Sequence, residues 1–195
     1  MSYLPNHFTV KDWANVKSFI KLFPLATLIT SFENEIFTSH IPFTIDDDKL
    51  TGHLNKDNPQ FQHLHTSKVE LVFHGGDAYI SPAAFPTDEL PTFNYAKVHV
   101  KGKASYTDES LLIKSLVNMT DKLDEDFKLE YTHPKIEILK HFIQGFEVSI
   151  ESFHGRFKMS QDKSKPHFDK AKTLLKDSQK QRLDYFLDSL EYDAG

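Results

Sequence analysis

The most chemically suggestive stretch of this sequence is the polar run from His53 to Gln60, which reads HLNKDNPQ. Imidazole, amide and ammonium groups in such a run are donors that suit phosphate oxygens or the polar edge of a heterocyclic ring. The run also has a structural interpretation, because Asp57 or Asn58 would cap a helix whose first residue is Pro59. Both interpretations can hold together, since a helix N-terminus is itself an anion site.

Two other clusters look chemical but have simpler explanations. The run Asp46-Asp47-Asp48 lies between two strand patterns, which indicates a solvated hairpin turn. His63-Leu64-His65 resembles a metal-binding pair, but the chain has no cysteine and no carboxylate at an obvious ligand spacing. We therefore predict the end of a short helix there, with Leu64 buried and the histidines flanking it. The sequence indicates no metal site, no catalytic nucleophile and no acid–base pair.

The elements that would position these groups are mostly strands. Period-2 alternation begins at Lys68, and Gly75-Gly76-Asp77 predicts a tight hairpin turn that leads into a second short strand. A loop then runs from Pro82 to Pro91, and a long strand begins at Thr92. A long loop between two strands is where binding residues tend to lie.

The remaining elements are predicted from the same signals, which together give about six strands with helices inserted between them. Further strands are expected at 25–31, 35–45, 49–54 and from Phe146 onward, with a turn near Glu33-Asn34. Helices are expected from Trp13 after a cap at Thr9 or Asp12, from Asp108 to Lys122, from Pro134 to a stop at Gly145, and from Phe168 to Leu190. This pattern indicates a mainly β, α+β fold, with an antiparallel barrel and peripheral helices.

Composition narrows the class of protein. The chain has 195 residues and a formal net charge of −5, and it contains no cysteine, so disulfides and thiolate chemistry are excluded. No run approaches the ~18 apolar residues of a membrane span, and the N-terminus lacks the pattern of a signal peptide, so we expect a cytoplasmic protein. The C-terminal helix is rich in lysine, which is compatible with DNA contact, but interspersed aspartates weaken that interpretation.

Several segments, taken in order, resemble the PaiB-type family of FMN-binding negative transcriptional regulators. They read GHLNKDNPQ at 52–60, AYISP at 78–82, PTFNYAKVHVKG at 91–102, GFEVSIE at 145–151 and GRFKMSQDKS at 155–164. The resemblance extends from about Tyr3 to Asp169. One departure is Phe93, where family members usually carry tryptophan, so an indole N–H donor is absent.

This resemblance implies a split β-barrel, like that of pyridoxamine-phosphate-oxidase-like flavoproteins, assembled as a homodimer with FMN at the subunit interface. We expect a barrel domain over 1–165 and a charged helix over 166–195, packed on the barrel or on the partner subunit. Carried onto this chain, the phosphate candidates are His53, Asn55, Lys56 and Asn58, with Gln60 nearby. The ring side would be lined by Thr27, Leu28, Thr30, His40 and Pro42, and the groove would be closed by Ser81, Thr92, Asn94 and Tyr95.

The resemblance implies a regulator that holds FMN, possesses no catalytic residues of its own and reaches DNA either directly or through a partner. The alternative is a flavin-dependent oxidoreductase acting on a small molecule, since the cofactor would then carry the chemistry and no catalytic motif would be needed. A dianionic phosphate usually attracts arginine, yet the two arginines, Arg156 and Arg182, lie outside the phosphate segment. Lys56 is therefore the expected cation there.

Overall fold

A computed structural model describes residues 6–86 and 90–190, which form an antiparallel sheet flanked by helices. Across the described residues the strands follow the order β3-β2-β6-β7-β8-β5-β4, and β1 pairs with β8. The strands are β1 (Thr9–Val10), β2 (Leu25–Phe32), β3 (Glu35–Pro42), β4 (Thr44–Asp46), β5 (Lys49–Asn55), β6 (Lys68–Ile80), β7 (Thr92–Tyr106) and β8 (Ile143–Lys158). The helices are α1 (Trp13–Leu22), α2 (Glu109–Leu123), α3 (Pro134–Leu139) and α4 (Lys165–Asp188).

Local signals set several element boundaries as predicted. The Asp12 carboxylate accepts a hydrogen bond from the Asn15 backbone N–H and caps α1, and Asp108 caps α2 in the same way through Leu111. The β2–β3 hairpin turns at Glu33 and Asn34, which have φ of 51° and 65°. The predicted turn among the three aspartates is also confirmed, between β4 and β5.

The chain divides into two compact units. The larger unit comprises Lys11–His74 and Val98–His154, and the smaller comprises Met1–Val10, Gly75–Lys97 and Gly155–Gly195. In the smaller unit β1 pairs with the end of β8, and the Arg182 guanidinium of α4 lies 3.0 Å from the Asp77 carboxylate. The prediction of one domain over 1–165 and a separate helix over 166–195 stays a prediction.

The core of the larger unit is built on three phenylalanine rings. Phe43 packs edge-on against Phe73 and Phe146, with ring centroids 6.1 and 5.6 Å apart. All three side chains are almost completely buried. A Cβ placed on Gly52 would lie 2.9 Å from the Phe43 ring, so the glycine leaves space for that ring. Such T-shaped contacts add to the stabilisation that comes from burial.

The hairpin predicted at Gly75-Gly76-Asp77 is wrong, because β6 runs through these residues without a turn. No described glycine has a positive φ. The role of Gly76 is instead a close approach: a Cβ there would lie 2.6 Å from Oε1 of Gln179 on α4. Its lack of a side chain therefore serves packing, not backbone reversal.

Two further expectations need correction. The helix that begins at Pro134 ends at Leu139, and Gly145, its predicted stop, lies within β8. The sheet has eight described strands where about six were expected, because the segment after Pro42 forms its own short strand and Thr9–Val10 adds another. Among the described residues, none of the helices has both the length and the apolar content that crossing a membrane requires.

Candidate functional site

A buried polar network lies in the larger unit and is centred on Gln60, which is 1% exposed. Its amide Nε2 donates to Thr30 Oγ1 at 2.9 Å and to the Phe37 carbonyl at 3.3 Å. Its Oε1 accepts from the Ser39 hydroxyl at 2.5 Å. The side chain therefore joins β2 to β3 and uses both ends of its amide.

Gln60 reaches this position because the predicted cap forms. After β5, Asn58 caps a short 3-10 helix over Pro59–Gln62, and its Oδ1 accepts from the Gln60 backbone N–H at 2.9 Å. The other end of the Asn58 amide, Nδ2, donates to Ser39 Oγ at 2.8 Å. The cap thus belongs to the same network, and it attaches the 55–60 segment to β3.

His63 completes the network from the next turn of the chain. Its Nε2 lies 3.0 Å from Thr30 Oγ1, and its ring stacks on Phe32 with centroids 4.8 Å apart. Burial lowers the pKa of the His63 imidazole, so the ring is neutral at neutral pH. Leu64 is buried, as predicted. The expectation that both flanking histidines would lie outside the core is wrong for His63, which is 2% exposed.

A second polar cluster lies on the opposite face of β2, which we call the outer face. Because side chains alternate along a strand, Thr27 points away from buried Thr30. Thr27 Oγ1 lies 2.9 Å from His74 Nε2 and 3.3 Å from His40 Nδ1. A hydroxyl has a single proton, so Thr27 can donate to only one of the two rings and must accept from the other.

Charged groups continue this outer face on β6 and β7. His99 Nδ1 lies 2.9 Å from a Glu70 carboxylate oxygen, and Lys101 Nζ lies 3.5 Å from the other oxygen. Burial raises the pKa of Glu70, but the hydrogen bond from His99 and the charge of Lys101 outweigh it and hold the pKa below its usual range. A cavity of about 500 Å³ adjoins this pair, and its lining includes Ile29, Ile36 and Lys68.

The other residues predicted to line the ring side differ in position and burial. Leu28 is completely buried in the core, and Pro42 is half-buried at the end of β3, where it pairs with Leu25. Thr30 belongs to the buried network, whereas Thr27 and His40 lie on the outer face. The structure therefore brings Thr27 and His40 together and places Leu28 and Thr30 behind them.

The predicted phosphate residues next to the network make contacts within the protein. Asn55 Oδ1 accepts from the Asp57 backbone N–H at 2.8 Å. The Lys56 ammonium donates to the carbonyl oxygens of Lys140 and His141, at 3.5 and 3.1 Å. His53 lies apart from this group and lines a cavity formed with α2 and α3.

The predicted groove-closing residues belong to the smaller unit. Ser81 caps a 3-10 helix over Pro82–Ala84. Thr92 accepts a hydrogen bond from the Lys158 ammonium, and the buried Asn94 amide exchanges hydrogen bonds with the Ser160 hydroxyl. Tyr95 is half-buried on β7. A cavity of about 390 Å³ in this unit is lined by Thr92, Lys158, Lys163 and His167 among others.

Six polar side chains of these clusters were not predicted as site residues: Ser39, His63, His74, Glu70, His99 and Lys101. Ser39 directly precedes His40 in a strand pattern, and a strand places neighbouring side chains on opposite faces. His63 and His74 have no local signal for their roles. Their hydroxyl partners lie 33 and 47 residues away in sequence, so only the folded chain reveals them.

Comparison with known proteins agrees with this architecture. The sequence profile of the family described as "Putative FMN-binding domain" matches residues 2–152. The chain is 29% identical to "Protease synthase and sporulation protein PAI 2" of Bacillus subtilis, over 85% of both chains. It is 30% identical to an uncharacterized protein of Saccharomyces cerevisiae, over 63% of this chain and 90% of that one.

Solved structures show the same fold at low sequence identity. The flavocytochrome Anf3 from Azotobacter vinelandii superimposes with a TM-score of 0.63 at 19% identity, over 80% of this chain and 72% of that one. A FAD and heme binding protein from Mycobacterium smegmatis gives 0.65 at 13% identity, over 84% and 80%. The predicted fold class, a mainly β antiparallel split barrel with peripheral helices, is confirmed. With the profile covering most of its length, the chain belongs to the FMN-binding domain family that this profile describes.

Proposed function

We propose that this protein binds FMN on the outer face of the larger unit, with the ring edge against Thr27, His40 and His74. The observation that carries the proposal is a cluster of one hydroxyl and two imidazoles in a member of an FMN-binding family, in which each imidazole nitrogen lies within 3.3 Å of the hydroxyl oxygen. These groups offer both donors and acceptors, which a flavin ring edge requires. The buried Gln60 network lies behind them and holds β3 in place.

The residues present suit both parts of FMN, the isoalloxazine ring and the phosphate. His40 is exposed beside half-buried Thr27, so the ring-edge groups are accessible. For the phosphate we propose Lys56: two of its three ammonium donors bind the Lys140 and His141 carbonyls, and a third remains. Asn55 lies beside it on the exposed end of β5. When bound, FMN supplies the redox chemistry of its ring, and the protein supplies position and electrostatics.

Flavin titration tests this site. We expect saturable quenching of FMN fluorescence by the purified protein. Thr27→Val keeps the side-chain shape but removes the hydroxyl, and should weaken binding about fivefold, as for one lost hydrogen bond. Lys56→Met keeps the side-chain length but removes the charge, and should weaken binding by about tenfold, as for a charge-assisted hydrogen bond.

A matched control comes from the strand that directly precedes Lys56. Lys49 is the first residue of β5 and is paired with Glu147 at 2.8 Å, so Lys49→Met should leave FMN affinity unchanged. Equal FMN affinity in the unchanged protein and in the Thr27→Val, Lys56→Met and Lys49→Met variants would refute this placement of the cofactor. Loss of affinity in Lys49→Met to the same extent as in Lys56→Met would show a general charge effect instead.

We further propose that the protein acts in the cytoplasm as a homodimeric negative regulator of transcription. The family resemblance supports this role, as does the similarity to a Bacillus subtilis protein named for protease synthesis and sporulation. On α4, Lys170, Lys176 and Lys180 are exposed and would supply phosphate contacts. The whole chain has a net charge of −5 and would be repelled by DNA, so contact with DNA would be confined to this lysine-rich part of α4.

Electrophoretic mobility tests direct DNA binding. With fragments from upstream of the protein's own gene, we expect a shift at about 50 mM salt that weakens steeply by about 200 mM. When Lys170, Lys176 and Lys180 are changed together to glutamine, the slope of log K for DNA binding against log salt concentration should fall in magnitude by about three. Sedimentation of the same samples should give the mass of a dimer. Absence of any shift at low salt argues for action through a partner or for oxidoreductase activity.

A further inference from the structure

A second cavity, of about 510 Å³, lies in the larger unit and shares no lining residue with the cavity beside Glu70 and Lys101. Its walls come from α2, α3 and the segment between them, and its floor includes His53 of β5. His53 alternates with the buried residues Gly52 and Leu54, so it points away from the phenylalanine core. Cavities that hold small molecules fall in the same range of volume, about 300–1,000 Å³.

The position of α2 depends on a glycine opposite His53. Gly145 of β8 is the register partner of His53, and a Cβ there would lie 2.5 Å from Thr107 Oγ1 and 3.1 Å from Leu112 Cβ. The glycine therefore lets the start of α2 lie directly on the sheet. Farther along α2 the helix and α3 leave a space, which Leu116, Met119 and Ile136 line with apolar atoms.

The mouth of the cavity is also apolar. The side chains of Phe127 and Leu139 line it while remaining 49% and 42% exposed. Leu129 packs on the nearby cluster of Leu112, Leu116 and Ile143. Large apolar side chains gathered around one opening keep surface exposed that burial against an apolar ligand would stabilise.

His53 lacks a partner that a buried imidazole normally has. Its Nδ1 is buried and makes no hydrogen bond with the described residues, although buried polar atoms are usually paired. Burial lowers the pKa of His53, so the imidazole is neutral and has both a donor and an acceptor nitrogen.

Among the described residues that line the cavity, Lys135 is the one charged side chain, and none is a carboxylate. The ring of His133, also in the lining, accepts a hydrogen bond at Nδ1 from the Lys135 backbone N–H at 3.2 Å. Lys135 forms no ion pair with any residue in the described ranges 6–86 and 90–190. An apolar wall, an unpaired ammonium and an unsatisfied imidazole are together complementary to a molecule with an apolar body and one anionic group.

We propose that this cavity binds an amphipathic monoanion, such as an arylalkyl or medium-chain carboxylate. The apolar body lies between α2 and α3, the acid group lies near Lys135, and His53 offers a hydrogen bond at the floor. This site is separate from the flavin site that we propose, and it does not depend on FMN binding. It would give this protein a second small-molecule site.

Anilinonaphthalene sulfonate is a suitable probe, because it combines an aromatic body with one sulfonate and fluoresces when desolvated. We expect one saturable site per chain, with weaker binding of the uncharged analogue N-phenylnaphthylamine. Met119→Trp should fill the cavity and reduce affinity about tenfold or more. Lys135→Met should reduce affinity for the sulfonate about fivefold and leave the uncharged analogue unaffected. His53→Phe should weaken binding of both probes less than Met119→Trp does.

Controls separate this site from other apolar surfaces. Lys128 lies in the same connecting segment but pairs with Asp121 at 2.9 Å outside the cavity, so Lys128→Met should bind the probe normally. Saturating FMN should not displace the probe. Near-normal denaturation midpoints would show that each variant is folded. Unchanged binding in both Met119→Trp and Lys135→Met, absence of saturable binding, or displacement of the probe by FMN would each overturn the proposal.

Discussion

Replacement of Phe43 by alanine is expected to lower the free energy of unfolding by about 3–5 kcal/mol. The Phe43 ring is 2% exposed and fills the space between Phe73, Phe146 and Gly52. Gly52 has no side chain that could fill the vacancy, and its strand is paired on both sides, by β4 and β8. The cavity would therefore persist, and a cavity that does not collapse increases the loss of stability.

Urea denaturation followed by fluorescence of Trp13 provides the measurement, because Trp13 packs on Phe153 within the same unit. Leu22→Ala is the matched control: Leu22 is also a large apolar residue of the larger unit, but it is 73% exposed at the end of α1. Its replacement should change the free energy of unfolding by less than about 0.5 kcal/mol. A small effect of Phe43→Ala would mean that the neighbouring rings move in to close the cavity.

The second large effect is expected for Gln60→Leu, which retains the volume of the side chain and removes its amide. The Thr30 and Ser39 hydroxyls and the Phe37 carbonyl would each lose a hydrogen bond. Leaving buried polar groups without partners costs about 1–3 kcal/mol for each. Thr30 retains His63 and Ser39 retains Asn58, so we expect a total loss of about 2–4 kcal/mol.

Gln62 provides the control within the same 3-10 helix. It is exposed, and Gln62→Leu should leave the denaturation midpoint nearly unchanged. Ser39 directly precedes His40 in β3, and the network fixes the Ser39 side chain. Gln60→Leu should therefore also weaken FMN binding under conditions where the protein remains folded. Loss of stability with full FMN affinity would show that the network stabilises the fold without positioning the flavin site.

Much of the secondary structure could be predicted because its signals are local. The β2–β3 turn depends on Glu33 and Asn34 themselves, and the caps at Asp12 and Asn58 act on residues two or three positions ahead. Gly76 shows the limit of such reasoning. Its neighbours in sequence suggested a turn, but a side chain 103 residues later on α4 explains the need for glycine.

The two interpretations of the run from His53 to Gln60 illustrate the same limit. The sequence predicted a cap at Asp57 or Asn58, and the structure shows it at Asn58, as part of a buried network. The assignment of the whole run to phosphate binding remains a proposal, and the residues of the run lie in different parts of the structure. Gln60 is internal, Lys56 contacts the carbonyls before β8, and His53 lines the cavity beneath α2 and α3.

By itself, the amino-acid sequence determined the alternation of its strands, the caps of its helices and the motifs that identify its family. These properties depend on residues close together in the chain, where the backbone geometry is nearly fixed. Only the tertiary structure decided that Thr27 lies between His40 and His74, that His63 is buried against Thr30, and that His53 has an unpaired nitrogen. The physical reason is that strand pairing brings together side chains from distant parts of the sequence, and their partners there determine burial, pKa and chemistry.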